Sequence, residues 1–344
     1  MIHFQCDYAS GVHPKILEKF ALTNDDQTLG YGDDRYCKSA ADKIRAACGT
    51  PNADVHFLVG GTQTNSVVIA SILRPHQGVL SPDSGHIAVH ETGAIEAGGH
   101  KVLILPSIDG KISAAQVEEY CELYENDPVR CHTVAPGMVY ISIPTESGTL
   151  YSKAELNELS RVCKQRNLPL FIDGARLGYA LTSKHCDLNL SDVATLSDIF
   201  YIGGTKCGAM FGEAVVITND ALKRDFRHIM KQRGALLAKG RMLGLQFDVL
   251  FSDNLYFEIC KNAVSYALKI REAFEAKGIK AQANSYTNQQ FFILTDEQLE
   301  KLSKKYLFAN FYKTKDGGNF IRVCTSWSSA KEDVEALVRD IKAL

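Results

Sequence analysis

The chain has 344 residues, 45% of them hydrophobic and 23% charged, enough for two domains or one large domain with a smaller satellite. Its formal net charge of −2 gives no overall field favouring nucleic acid or an anionic membrane, and neither is expected as a partner. The ten cysteines are never closer than ten residues and form no Cys-x-x-Cys pair, so a zinc ribbon or thioredoxin-type site is unsupported and reduced, packed thiols are expected.

At the N-terminus, residues 1–7 carry neither a basic region nor a long apolar run, which predicts a cytoplasmic protein without signal peptide or transmembrane segment. Residues 1–29 are expected to pack on a small domain or on a partner subunit. From Gly30 to Arg241, apolar strand-like runs alternate with helical patterns. The strands are Val55–Val59, Val102–Leu105, Met138–Ile143, Leu168–Ile172, Ile199–Ile202 and Ala214–Ile217, and a helical run covers Val67–Leu73. Ser152 with Glu155 three residues on is a capping box that opens a further helix, to about Asn167. The alternation predicts an α/β fold, with a large, mostly parallel sheet over residues 30–241. A long helical stretch, strand-like runs at Phe291–Leu294 and Phe320–Cys324, and a helix from Ser329 then predict a small C-terminal α+β domain over residues 242–344.

Three pieces carry chemistry. Gly60-Gly61-Thr62-Gln63-Thr64-Asn65 follows a strand and precedes a helical run. Such a turn presents bare N–H groups and the positive helix end to an anion, ideally phosphate, although paired glycines also serve tight turns alone. Asp173, in Phe171-Ile172-Asp173-Gly174-Ala175-Arg176, lies at the end of a buried strand, where open α/β sheets bind ligands. Its carboxylate can pair with a pyridinium nitrogen and keep the ring an electron sink; a structural pair with Arg176 is the competing reading. Lys206 sits among Gly203, Gly204 and Gly208, with room for a bulky group on an amine that could condense with an aldehyde; a flexible loop with an incidental lysine is the alternative. Turn, acid and lysine each follow a predicted strand, and the 33 residues from Asp173 to Lys206 fit one strand–helix–strand step. Together they read as a pyridoxal 5′-phosphate (PLP) site.

With these pieces in place, the sequence resembles the low-specificity L-threonine aldolases of the β-eliminating-lyase group, PLP enzymes of fold type I. The similarity runs from Cys6-Asp7 to Cys324-Thr325-Ser326-Trp327. It is carried by Gly30-Tyr31-Gly32-Asp33-Asp34, Gly60–Asn65, Gly85-His86-Ile87, Glu91-Thr92-Gly93-Ala94, Asp173–Arg176, Gly203–Lys206 and Arg322. The resemblance implies Lys206 as the cofactor-bearing lysine, Asp173 as partner of the ring nitrogen and Arg176 near the ring's phenolic oxygen. It implies Gly61 and Thr62 at the phosphate, His86 stacked on the ring and Arg322 on the substrate carboxylate, a role suited to a planar fork. Tyr31, near a neighbouring subunit's site, and Cys6 are further substrate-side candidates. His86 and His90 are four residues apart, but without a His-Glu-x-x-His arrangement or a third ligand no metal is expected.

One segment departs from the family pattern. Where many threonine aldolases carry Thr-His-Asn-Gly, this chain has Thr145-Glu146-Ser147-Gly148, so Glu146 stands in place of a histidine at the substrate β-hydroxyl. Lys231 to Gly240 stands where a phosphate-binding arginine is found, and Arg233 or Lys239 is expected to take that part. The resemblance implies a homodimer or homotetramer with sites between subunits. The implied reaction is retro-aldol cleavage of a β-hydroxy-α-amino acid to glycine and an aldehyde. β-Elimination, transamination and a non-catalytic PLP-binding paralogue are the rivals.

Overall fold

The computed structural model describes residues 1–344. Its large sheet contains β1 (Asp54–Leu58), β2 (Gln77–Pro82), β3 (Lys101–Leu105), β4 (Ala135–Ser142), β5 (Leu170–Asp173), β6 (Ile199–Gly203) and β7 (Glu213–Ile217). The strands lie in the order β1-β7-β6-β5-β4-β2-β3. Only β7 opposes its neighbours, being antiparallel to both β1 and β6, so the sheet is the mostly parallel one expected. Side-chain alternation feeds two cores, one on each face. Ile141, Leu170 and Ile172 enter one cluster, whereas Tyr140 and Phe171 enter the other.

Local chemistry explains what the pattern shows and what it hides. Ser152 accepts from the Glu155 N–H at 3.2 Å and the Glu155 carboxylate accepts from the Ser152 N–H at 2.7 Å, so the capping box forms and the helix runs Lys153–Gln165. β2 was not anticipated, because only Val79 and Leu80 in it are strongly apolar. Gly78 lets it join the sheet: a Cβ there would lie 2.7 Å from the Lys101 carbonyl oxygen. The helix after β1 begins at Gly61, ahead of the apolar run at Val67, through a polar first turn.

The C-terminal sheet has three strands rather than two: β8 (Gln289–Leu294), β9 (Ala309–Lys313) and β10 (Asn319–Cys324), in the order β9-β10-β8, all antiparallel. β9 escaped notice because it is a mostly exposed edge strand without a buried alternation. Phe292 and Ile321 pack with Phe274 and Leu337 from the helices Leu255–Ala276 and Lys331–Lys342. At the N-terminus, Ile2–His3 pairs with Tyr306–Leu307, and Phe4 is buried in this third core.

The parallel strands β4, β5 and β6 end at one edge of the large sheet. β1 is antiparallel to β7, which is antiparallel to β6, so β1 ends there too. Gly174 must turn the chain sharply at this edge, since a Cβ on it would lie 1.9 Å from the Tyr201 carbonyl oxygen. Gly174→Ala is therefore expected to destabilise the protein by about 1–3 kcal/mol, the usual cost of forcing an extra methyl into packed structure. A lower urea midpoint at unchanged slope would register it.

Candidate active site

The site is built outward from Asp173, which ends β5 and is 4% exposed. Its Oδ1 accepts hydrogen bonds from the Tyr201 hydroxyl (2.5 Å) and the Ala175 N–H (3.0 Å). Its Oδ2 accepts from the Tyr140 hydroxyl (2.7 Å) and Asn65 Nδ2 (3.1 Å). Burial, then the neighbouring Asp173 charge, raises both phenol pKa values well above the ordinary tyrosine value, so the hydroxyls remain donors. Sequence reasoning missed both tyrosines. Their signal is a hydroxyl inside an otherwise apolar strand, which needs a buried acceptor.

Lys206 follows β6 on a turn that excludes side chains. A Cβ on Gly203 would lie 2.2 Å from the Ala175 carbonyl oxygen, and one on Gly204 would lie 2.6 Å from that of Gly212. The half-buried lysine is anchored through its carbonyl, which accepts from the Tyr179 hydroxyl at 2.5 Å. Beneath the turn lies Glu213, another residue the sequence did not single out, whose Oε2 accepts from the Gly204 N–H at 3.1 Å. Burial pushes this carboxyl up to about 8 against the opposing charge of Lys206.

Arg176 does not reach Asp173. Its Nε and Nη2 instead form a bidentate pair with Asp7, at 2.6 and 3.0 Å, and Asn288 Nδ2 donates to the same carboxylate at 2.9 Å. Burial would raise the Asp7 pKa, but the Arg176 and Lys206 charges bring it down to about 2. Asp7 stood in the Cys6-Asp7 pair at the start of the resemblance without a role. Its neighbour Cys6 is half-buried and free. Arg322, in β10, donates to Gln289 Oε1 (3.0 Å) and to the Gln5 carbonyl (2.9 Å), with its guanidinium 5.5 Å from the Phe311 ring centre. Its Nε and Gln289 Nε2 are buried donors without partners, as a site awaiting an anion would have.

His86 opens the one-turn helix His86–Val89, and its Nδ1 lies 2.8 Å from Glu91 Oε1. Glu146 is half-buried in the loop after β4, where Ser142 Oγ donates to its Oε1 at 3.5 Å and its charge acts on His86, Tyr140 and Arg176. At the start of helix Gly61–Ile72, Gly60 supplies no side-chain cap, so the first-turn N–H groups of Gly61 and Thr62 are left for an anion. Of the two basic candidates, Arg233 donates to Ser66 Oγ (3.0 Å) on the next turn of this helix and to the Gly98 carbonyl (3.4 Å). Lys239 is exposed, as is Tyr31, which has the Lys231 ammonium 4.7 Å from its ring centre. No cluster of His, Cys, Asp and Glu side chains is arranged to hold a metal ion. An aldehyde-bearing pyridine phosphate fits this edge: an uncapped helix start, a buried carboxylate at a strand end and a lysine on a side-chain-free turn.

Comparison with known proteins points the same way. Residues 5–297 match the profile of the family described as Beta-eliminating lyase. The low specificity L-threonine aldolase of Pseudomonas aeruginosa is 30% identical over 98% of this chain and 96% of that protein. The Leishmania major threonine aldolase structure is 45% identical and superposes with a TM-score of 0.96, covering 100% of this chain and 99% of that one. A single mutant of Thermus thermophilus aspartate aminotransferase, 14% identical, has a TM-score of 0.71 over 100% of this chain and 91% of that one, a likeness of fold alone.

The Asp7–Arg176 pair makes a stability prediction. Asp7→Asn leaves a buried guanidinium without its counter-charge and should cost about 3–5 kcal/mol at pH 7, read from urea unfolding. Because the folded carboxyl titrates at about 2 against 3.8 in an ordinary one, the pair's contribution is complete above 3.8 and is lost as pH falls through about 2. The wild-type advantage over the variant should shrink across that window.

Proposed function

Because the chain belongs to the β-eliminating lyase family, we propose that it is a fold type I, PLP-dependent aldolase. It cleaves β-hydroxy-α-amino acids of the L-threonine and L-allo-threonine type to glycine and an aldehyde. The observation that carries this reading is the edge where Asp173, bound by four donors, meets the uncapped Gly61 helix and the Lys206 turn. The extensive similarity to threonine aldolases selects this reaction over elimination and transamination.

In this reading Gly61, Thr62 and a basic residue, Arg233 or Lys239, hold the phosphate. Asp173 would hold the ring nitrogen, His86 would lie against the ring, and Lys206 would be the lysine that bears the cofactor. Bound PLP supplies the electron sink for the pair released when Cα–Cβ breaks. Arg322 grips the substrate carboxylate with the donors it has to spare. Arg176 spends Nε and Nη2 on Asp7, which orients its remaining Nη1–H donors toward the ring oxygen. Glu146, free of strong partners, accepts the β-hydroxyl proton as the aldehyde carbonyl forms. The residue division at 30 and 242 belongs to the same reading, with Arg322 brought to the site by the small domain. So do the homodimer or homotetramer and the cytoplasmic setting. Tyr31 and Cys6 belong to it as contacts to substrate. No helix is long and apolar enough to cross a membrane.

Product analysis on a panel of β-hydroxy amino acids with added PLP tests the reaction, and finding no glycine from any of them would end this reading. Borohydride reduction of the PLP-treated protein should leave the cofactor's mass on the Lys206 peptide, and Lys206→Ala should lose that label. Glu146→Gln should lower aldehyde release by about 10²–10⁴-fold, the usual contribution of a positioned base. Slow exchange of the glycine Cα proton, which needs no hydroxyl group, should stay nearly intact. If both activities fall together, Glu146 supports the cofactor instead; if neither falls, His86 or a bound water is the base.

A further inference from the structure

Between His86 and Asp173 lies a buried chain of hydrogen bonds that the reaction just described does not use. Glu91 is buried, and its Oε1 receives two contacts, from His86 Nδ1 at 2.8 Å and from Asn65 Nδ2 at 2.7 Å. The same Asn65 nitrogen lies 3.1 Å from Asp173 Oδ2. Asn65 is fully buried, so both of its amide hydrogens are committed, one to each carboxylate. Its Oδ1 has no partner, and neither has Glu91 Oε2. Turning the amide over would set its oxygen against two carboxylates, so the unpartnered oxygen is the cheaper arrangement.

We propose that Glu91 is a positioning residue that fixes His86 as the Nδ1–H form, leaving Nε2 as its working nitrogen, and that Asn65 ties this pair to Asp173 as one hydrogen-bonded unit. Glu91 Oε1 already accepts from Asn65 and can only accept from the imidazole, so Nδ1 must be the donor. The hydrogen bond made by one ring nitrogen sets the state of the other. The inference rests on the reading of this edge as the cofactor site, in which His86 lies on one face of the ring and Asp173 at its nitrogen. The unit then joins the two groups that hold the ring in place.

The groups facing His86 are Glu91 on its own segment, Glu146 from the loop after β4, Asp173 from β5, and His90, whose ring centre lies 5.6 Å away. Burial disfavours the imidazolium, but the Glu91 hydrogen bond and the three carboxylate charges outweigh it, so the imidazole titrates above its ordinary value.

Nuclear magnetic resonance of the full chain, with labelled histidine and with the His86 signal identified by its loss in His86→Gln, tests the proposal. The titration is followed with and without PLP. In the wild-type protein above the His86 midpoint, Nδ1 should show the shift of a protonated nitrogen and Nε2 that of a lone pair; the reverse assignment overturns the proposal. In Glu91→Gln the midpoint should fall by about one pH unit, a tenfold change in proton affinity. A fall of less than about a third of that would also overturn it. If Glu91→Gln does not fold, the wild-type nitrogen shifts decide alone. Neither readout requires turnover, so a failure here is distinct from an absence of glycine in the product analysis.

Discussion

A single buried negative charge organises this molecule. Removing a carboxylate from water costs several kcal/mol unless the interior returns its hydrogen bonds, and Asp173 recovers four. Two of the donors, Tyr140 and Tyr201, come from the strands on either side. All three sit on one face of the sheet, because Asp173 is two residues beyond Phe171 and Tyr140 and Tyr201 share that residue's core cluster. The Phe171 ring lies 5.6 Å from Tyr140 and 6.2 Å from Tyr201, so the packing that steers the phenols is the packing of the core itself. A one-residue slip of β4 or β6 would turn its tyrosine to the opposite face. The register of the sheet and the geometry of the site are thus one constraint.

Other charges at this edge are handled differently. Asp7 stays ionised because Arg176 meets it fork to fork, whereas Glu213 lacks a cation within ion-pair distance and is driven toward its neutral form by burial. Lys206 acts on both carboxyls, lowering their pKa values. Any change in the charge of this lysine is therefore felt by an acid already near the middle of its titration and by one far from it. The two carboxyl groups, though both buried, respond to neutral pH in opposite ways.

Much of this was legible before the structure. Buried parallel strands announce themselves as short apolar runs, and glycines at 203 and 204 mark places where the chain must pass close to other backbone. The strand Gln77–Pro82 was hidden because glycine and proline at its ends read as a turn, and the edge strand Ala309–Lys313 because it buries almost nothing. Lys206 and Asp173 could be found because their residue types are costly where they stand. Asp7, Glu91 and Asn65 could not be assigned, because their partners lie 169, 5 and 26 to 108 residues away. No local pattern encodes the long pairings, and the short one, His86 with Glu91, spans a one-turn helix too brief to show a periodicity. The competing pairing of Arg176 with Asp173 fails for the same reason: proximity in sequence favoured it, and the fold supplied a better-placed acid, Asp7, from far along the chain.

The strap formed by the first seven residues has a consequence for how the protein is made. Ile2 and His3 pair with residues 306 and 307, Gln5 receives Arg322, and Asp7 receives Arg176 and Asn288. This early segment finds its partners late in the chain, across separations of up to 317 residues. Until residues 288–324 have emerged, Asp7 and Arg176 lack the framework that aligns them, and the apolar Phe4 has no core to enter. Such distant closures are slow to form. Truncated products that end before β10 would therefore carry a loose N-terminus and an exposed Phe4, features by which quality-control machinery can tell an unfinished chain from a finished one.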